Sequence, residues 1–254
     1  MKHTNKLSGL ISLVFVVISI LAFNVNAKTE IPDFAAMKDV KQKKHAFFEY
    51  MFPLIEKANK DILIIRAKIK ALPTKEVLTA DDNNFLQEVA KKYSVKTEKN
   101  STKQVINALL QRIDYIPPAL ALAQSANESA WGTSRFATKA NNFFGQWCFK
   151  KGCGIVPSRR DKGSKHEVRK FSSTQGSVHS YVHNINTGRA YASLRKVRSG
   201  LRNKNKMLTG HDLAHGLTKY SSRGTEYVKE IRSMIRTNKL KNYDNKFWES
   251  SVSK

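Results

Sequence analysis

The stretch ALAQSANESAWGTSRFATKANNFFG, residues 121–145, decides how this chain is read. It holds a single carboxylate, Glu128, among apolar, small and amide-bearing residues. Pro117 and Pro118 mark a helix start, because a proline in the first turn loses no helical hydrogen bond. Ala119, Leu122, Ala123, Ala126 and Ala130 then recur at helical spacing. Leu120, Ala121 and Gln124 fill the other faces, and no charge precedes Glu128. A helix that is apolar nearly all round is buried. Gly132 reads as its stop. Glu128 therefore falls near the C-terminus of a buried helix, next to Trp131. Burial and the negative end of the helix dipole both disfavour the carboxylate and hold the acid protonated near neutral pH. A general acid requires that state.

Upstream, the chain opens with MKHTNK, an apolar run LSGLISLVFVVISILAF and then NVNA. A basic n-region, an apolar h-region and a small residue at the cut read as an export signal over residues 1–27, cleaved after Ala27. The apolar run is short for a membrane span and is interrupted by Ser8, Gly9, Ser12 and Ser19. An uncleaved signal anchor is the alternative. Of 45 basic and 20 acidic side chains, only Lys2 and Lys6 lie in the signal, so the mature chain keeps 43 against 20, a net of +23. Such a charge implies a polyanionic surrounding. Outside the inner membrane that means the cell wall or, as a peripheral contact, an anionic lipid surface. Specific nucleic-acid binding is not expected, since the chain is exported and carries no recognisable motif for it. No oligomer is expected. In an exported chain, Cys148 and Cys153 in CFKKGC read as a disulfide closing a short loop.

Residues 28–115 read as an accessory helical region. Residues 38–55 and 59–72 give two helical segments, the second ended by Pro73. Residues 81–93 give another, capped by Asp81 or Asp82, and residues 101–114 a fourth. Residues 116–240 hold the site. After the Glu128 helix comes the turn NNFFG, then a hairpin made of GIVPSRR, a turn at DKGSK, and HEVRKF. Helices follow over residues 172–186, 212–220 and 225–237. Residues 241–254 read as a polar, mobile tail. The fold class is mainly α (α+β).

The pair NESAWG and NNFFGQW resembles glycoside hydrolase family 73, whose pattern is an acid at a helix end, ESGWG, followed by an N-x-F-G turn. RIDYIPPALALAQSANESAWGTSRFA, NNFFGQWC, GCGIVP, HEV, SYVHNINT and KYSSRGTEYV together resemble the bacterial Bax-type glucosaminidase-domain proteins, over residues 41–240. Ala130 stands where the family pattern has glycine. The resemblance implies a lysozyme-like catalytic domain, a small hairpin over a cleft, peptidoglycan glycan strands as substrate, and cleavage of the β-1,4 bond between N-acetylglucosamine and N-acetylmuramic acid. No cofactor is implied.

Glycoside cleavage needs a proton donor and a group that stabilises an oxocarbenium-like state. Glu128 is the expected donor. Trp131, Phe143, Phe144 and Trp147 are candidates to stack on sugar rings, and Asn142 and Gln146 to meet an N-acetyl group, although Asn141 and Asn142 equally serve to fix the turn. The family's second glutamate aligns with Arg159, a departure from the pattern. Glu167 on the returning strand is the nearest remaining acid, and Asp161 sits in the turn. Glu167 is thus either a catalytic partner or a structural ion pair with Arg159 or Arg160. Tyr220, in KYSSRG, matches a family tyrosine across the cleft and is carried over as an orienting residue. Without a second acid, the substrate's own N-acetyl oxygen or its muramic C6 hydroxyl becomes the nucleophile. A muramidase or lytic transglycosylase is therefore the runner-up, and a non-catalytic wall-binding protein the rival of a different class. His179 with His183, and His211 with His215, are each four apart, but neither has the glutamate or third ligand of a zinc site, so no metal is expected.

Overall fold

The first helix begins at Asp39, whose carboxylate accepts a hydrogen bond from the Gln42 amide at 2.6 Å. A computed structural model describes residues 30–72, 77–158, 160 and 163–251. Helix α1, Val40–Ala71, is one continuous helix where the sequence reads as two segments. Pro53 sits inside it on an exposed position, where it removes one backbone donor and crowds the Glu49 carbonyl one turn earlier. Phe47, Met51, Ile55, Ile62 and Ile69 form its buried stripe. The export signal at residues 1–27 lies outside the described residues, as do Pro73, Arg159 and Asp161.

Helix α2, Ala80–Lys92, is capped by Thr79 rather than by Asp81 or Asp82, which instead occupy its first turn. Helix α3, Thr102–Arg112, starts with a capping box between Ser101 and Gln104. Its last carbonyls are held by arginines from elsewhere. Arg66 Nη1 donates to the carbonyls of Leu110 and Ile113, and the buried Arg198 Nη2 donates to those of Gln111 and Arg112. Cations at a helix C-terminus meet the negative end of its dipole. Asp114, also buried, accepts from Arg202 Nε and Nη2 at 2.9 and 2.8 Å.

Helix α4, Pro118–Glu128, is the expected buried helix: every side chain from Pro118 to Ala126 is buried. Leu120 and Leu122 are fully so, each contributing about 1.5–3 kcal/mol of apolar burial. α4 packs against α1 and against three later helices. After α5, Arg135–Ala140, come three short strands, β1 Trp147–Cys148, β2 Gly154–Ile155 and β3 Glu167–Arg169. They form an antiparallel sheet in the order β1-β3-β2, with Trp147 and Ile155 both opposite Val168. The expected hairpin is present as β2 and β3, and β1 is added on the other edge. The Cys148–Cys153 disulfide closes the loop between β1 and β2.

Helix α6, Thr174–Thr187, runs into a 3-10 turn, Arg189–Tyr191, and then α7, Ala192–Asn203. The segment read as a helix over residues 212–220 is a short α8, Gly210–Leu213, continued by a 3-10 turn over Ala214–Leu217. Helix α9, Thr225–Thr237, follows. Over the described residues the chain is mainly α with one small sheet, a lysozyme-like α+β class.

The C-terminal residues depart from the reading of a mobile tail. They form α10, Lys241–Ser251, with Phe247 and Asp244 buried. Asp244 Oδ1 accepts from the Ala119 amide and Oδ2 from the Gly210 amide, both at 2.8 Å. Pro117, the N-cap of α4, makes no side-chain cap, so a residue 125 positions away in sequence caps that helix instead. The polar composition hid this, because two buried side chains suffice to dock the helix. Gly210 is tied to the same contact: a Cβ there would lie 2.5 Å from the Leu120 nitrogen.

Candidate active site

Helix α4 ends on Glu128, with Ser129 as its C-cap. Ala130, Trp131 and Gly132 have φ of +50°, +59° and +78°, three left-handed residues in a row that turn the chain sharply. Only glycine adopts that region without steric cost. Gly132 is needed for a second reason, since a Cβ there would come within 2.4 Å of the Phe34 ring. The Trp131 amide donates back to the Ala126 carbonyl at 2.8 Å, and the Gly132 amide to Ser129 Oγ at 2.8 Å. The sharp exit leaves Glu128 at the last turn of a buried helix.

Glu128 Oε1 accepts a hydrogen bond from the Tyr227 hydroxyl at 2.8 Å. Tyr227 in turn accepts from Gln124 Nε2 at 3.0 Å, and Gln124 Oε1 accepts from the Tyr181 hydroxyl at 2.7 Å. This chain, Tyr181 to Gln124 to Tyr227 to Glu128, is buried along most of its length. Oε2 is left facing Gly145, where an added Cβ would stand 3.6 Å away. Gly145 has φ +63°, so the NNFFG turn brings bare backbone beside the acid.

Burial pushes the Glu128 carboxyl above its usual range, and the nearby charge of Glu230 adds to this. Hydrogen bonds from Tyr227 and Asn127 and the charge of Arg223 pull the other way without cancelling it. Arg223 and Glu230 pair with each other at 2.8 Å. Position at the negative end of α4 acts in the same direction as burial. Tyr220, Tyr227, Tyr181 and Tyr191 are all raised, by burial first, and Glu128 is among the charges that raise each of them. These hydroxyls stay protonated, and those of Tyr181, Tyr220 and Tyr227 act as donors.

The aromatic rings form a stack around the acid. Tyr220 lies parallel to Tyr227, centroids 5.2 Å apart, and Phe144 lies parallel to Tyr181 at 4.0 Å. Tyr220 donates its hydroxyl to the Phe144 carbonyl at 3.1 Å, tying the turn to the stack. The expected residues Glu128, Tyr220 and Phe144 are therefore brought together. Phe144 is buried against Tyr181, which makes it a wall of the site rather than an open platform.

The remaining expected residues fall elsewhere. Trp131 packs edge-on against Phe47 and Phe48 of α1, with Lys44 over its ring. Asn142 is buried and spends its whole amide on the turn: Nδ2 donates to the carbonyls of Gln146 and Arg169, and Oδ1 accepts from the amides of Phe144 and Gln146. Gln146 donates to the Ser177 carbonyl. Trp147 is 57 % exposed and stacked on His166 at 4.1 Å, so it is the one expected aromatic that offers an open face.

Glu167 is buried on β3, and its two oxygens accept from the Gly152 and Gly154 amides at 2.9 and 2.8 Å. These bonds hold its carboxyl below the usual range. Arg160, expected as an ion-pair partner, donates to the His166 carbonyl and makes no direct bond to Glu167, although its charge adds to the lowering. Glu167 therefore binds the backbone of the disulfide loop. The paired histidines also diverge. His179 meets Asp61 at 2.9 Å, His183 packs on Tyr93, and His211 lies beside Arg232.

Sequence reasoning did not single out Gln124, Tyr181, Tyr227 or Gly145. Gln124 carried a usable signal: it lies four residues before Glu128, on the same helix face, in a helix otherwise free of polar bulk.

An acid at the end of a buried helix, a tyrosine-lined wall and a glycine turn beside it define a glycosidase-like site, and the chain belongs to the glucosaminidase family. The family model described as mannosyl-glycoprotein endo-beta-N-acetylglucosaminidase matches residues 103–240. The chain is similar to Protein bax of Escherichia coli (strain K12), 33 % identical over 215 residues, which is 85 % of this chain and 77 % of that protein. No solved structure matches it.

Proposed function

We propose that this protein is an exported peptidoglycan hydrolase that cleaves the β-1,4 bond between N-acetylglucosamine and N-acetylmuramic acid, with Glu128 as its general acid and base. The observation that carries the reading is the buried Glu128 carboxyl, raised by burial and fixed through Oε1 by Tyr227, with Oε2 beside Gly145. Tyr227 holds one oxygen, so the proton is delivered from the other. Glu128 gives that proton to the departing glycosidic oxygen, and the resulting carboxylate then takes one from the water that adds at C1. Both oxygens of Glu167 are taken up by loop amides, which favours the sugar's own 2-acetamido oxygen as the internal nucleophile. Trp147, exposed and flat on His166, is the ring we assign to sugar stacking. The Cys148–Cys153 disulfide and the basic N-terminal apolar segment support export.

The test is digestion of purified peptidoglycan by the wild-type protein and by Glu128→Gln, with mass spectrometry of the fragments. Reducing-end N-acetylglucosamine is expected from the wild type, and the variant should lose on the order of 10²–10⁴-fold in rate, the span of a general acid's contribution. Reducing-end or 1,6-anhydro muramic acid instead would mean the neighbouring linkage. Sacculus binding without products from either protein would mean a wall-binding protein.

A further inference from the structure

A groove of about 710 Å³ lies between the residue 94–100 loop and α3 on one side and the end of α6 with the Arg189–Tyr191 turn on the other. Lys96, Arg112 and Arg189 line it together with the amides of Asn100 and Gln104, and no acidic residue does. The walls are fixed. Arg112 Nη1 donates to the carbonyls of Tyr93 and Thr187, which pins a guanidinium across the floor. Behind the far wall, Arg195 holds the carbonyls of Ile185 and Gly188. Lys96 and Arg189 are exposed at the two rims.

The groove is continuous in the chain with the candidate active site. Arg189 and Tyr191 begin and end the same three-residue turn, and the Tyr191 ring stands 5.8 Å from that of Tyr220. The residue 94–100 loop lies before the family-matched residues 103–240, so the groove is completed by a part of this chain outside that match.

We infer that this groove binds a short acidic peptide through its carboxylates, and that its ligand is the peptide stem of the glycan strand being cut. Three cations with no carboxylate among the lining residues select an anion, amide and hydroxyl groups along the lining suit a peptide backbone, and a volume of about 710 Å³ exceeds what a single small anion fills. The stem assignment rests on the peptidoglycan reading above, whereas binding of the peptide does not.

Two measurements separate these claims. A stem tetrapeptide released from peptidoglycan is titrated into the protein and into a Lys96→Glu/Arg189→Glu variant, two exposed positions outside the Glu128 site. The wild type is expected to bind, and the variant to bind on the order of tenfold more weakly, as loss of two exposed charge pairs implies. No binding by the wild type, or equal binding by the variant, overturns the proposal. So does a duplex DNA oligonucleotide that binds through the same two residues while the peptide stays silent. Hydrolysis is then compared on intact strands and on strands stripped of stems by an amidase. The variant should lose the wild type's preference for intact strands while keeping its rate on stripped ones. An unchanged preference overturns the stem assignment. A protein that cuts neither substrate but binds the tetrapeptide through Lys96 and Arg189 retains the groove and loses the hydrolase reading.

Discussion

Tyr227 donates to Glu128 from 99 residues further along the chain, and the same hydroxyl accepts from Gln124 one helical turn before the acid. The single proton of the phenol is thereby directed at the carboxylate. A donor to the charged form lowers an acid's pKa, so Tyr227 keeps Glu128 from rising as far as burial alone would take it.

Removing that donor gives the first prediction. In Tyr227→Phe, Glu128 should hold its proton to higher pH, and the alkaline limb of kcat/KM should move upward. The rate at the optimum should fall roughly 10- to 100-fold as the acid loses its fixed orientation. Gln124 Nε2 is left without its acceptor, at a cost of about 1–3 kcal/mol. A pH–rate profile together with denaturant unfolding checks both effects.

Glu167→Gln tests the structural assignment. The amide nitrogen would face a backbone N–H at Gly152 or Gly154, where a second acceptor is needed. The expected result is a looser disulfide loop and a raised KM, with kcat within about tenfold of wild type, well short of the loss at a general acid. Because the folded carboxyl is held below its ordinary value, its stabilising effect is present above the unfolded pKa and fades as pH falls through the folded one. The variant should therefore melt below wild type at pH 7, with the gap narrowing in acid. A fall in kcat as large as that of Glu128→Gln would return Glu167 to catalysis.

Ala130→Gly should stabilise the protein. Ala130 has φ +50° and is exposed, so its methyl adds strain and no packing. Relief of left-handed strain is about 1–2 kcal/mol, partly offset by about 0.5–1 kcal/mol of extra unfolded-state entropy. A rise in Tm of about 1–3 °C is expected, with activity unchanged.

Asp244→Ala removes the shared cap of α4 and α8. Two amides lose their acceptor, at about 1–3 kcal/mol each. Burial lifts this carboxyl to about 7, ahead of the two amide bonds that lower it. A raised folded pKa means that the acid's stabilising effect is fullest below the unfolded value and is lost as pH rises towards 7. The difference in Tm between wild type and variant should therefore be larger at pH 5 than at pH 8. Equal Tm values would show that α10 does not cap α4.

The Glu128 helix and its end were legible because their signals are local. A proline pair, an apolar run at helical spacing and a glycine stop lie within residues 117–132. The disulfide and the β2–β3 hairpin were legible for the same reason, their partners being close in sequence. Helix α10 was not, because a single buried Phe247 and one capping Asp244 do not change a polar composition. Helix α7 went unread in a segment dense with basic residues, since the burial of Arg198 depends on carbonyls at the end of α3.

By itself, then, the sequence determined that an acid sits at the end of a buried helix ahead of a glycine turn. Only the tertiary structure decided what that acid and its neighbours touch. Tyr227 reaches Glu128, Asn142 turns inward to the backbone, Glu167 is taken up by the disulfide loop, and Trp131 packs on α1. The physical reason is that periodicity fixes which face a residue occupies, whereas its partner is set by how helices far apart in the chain cross and pack.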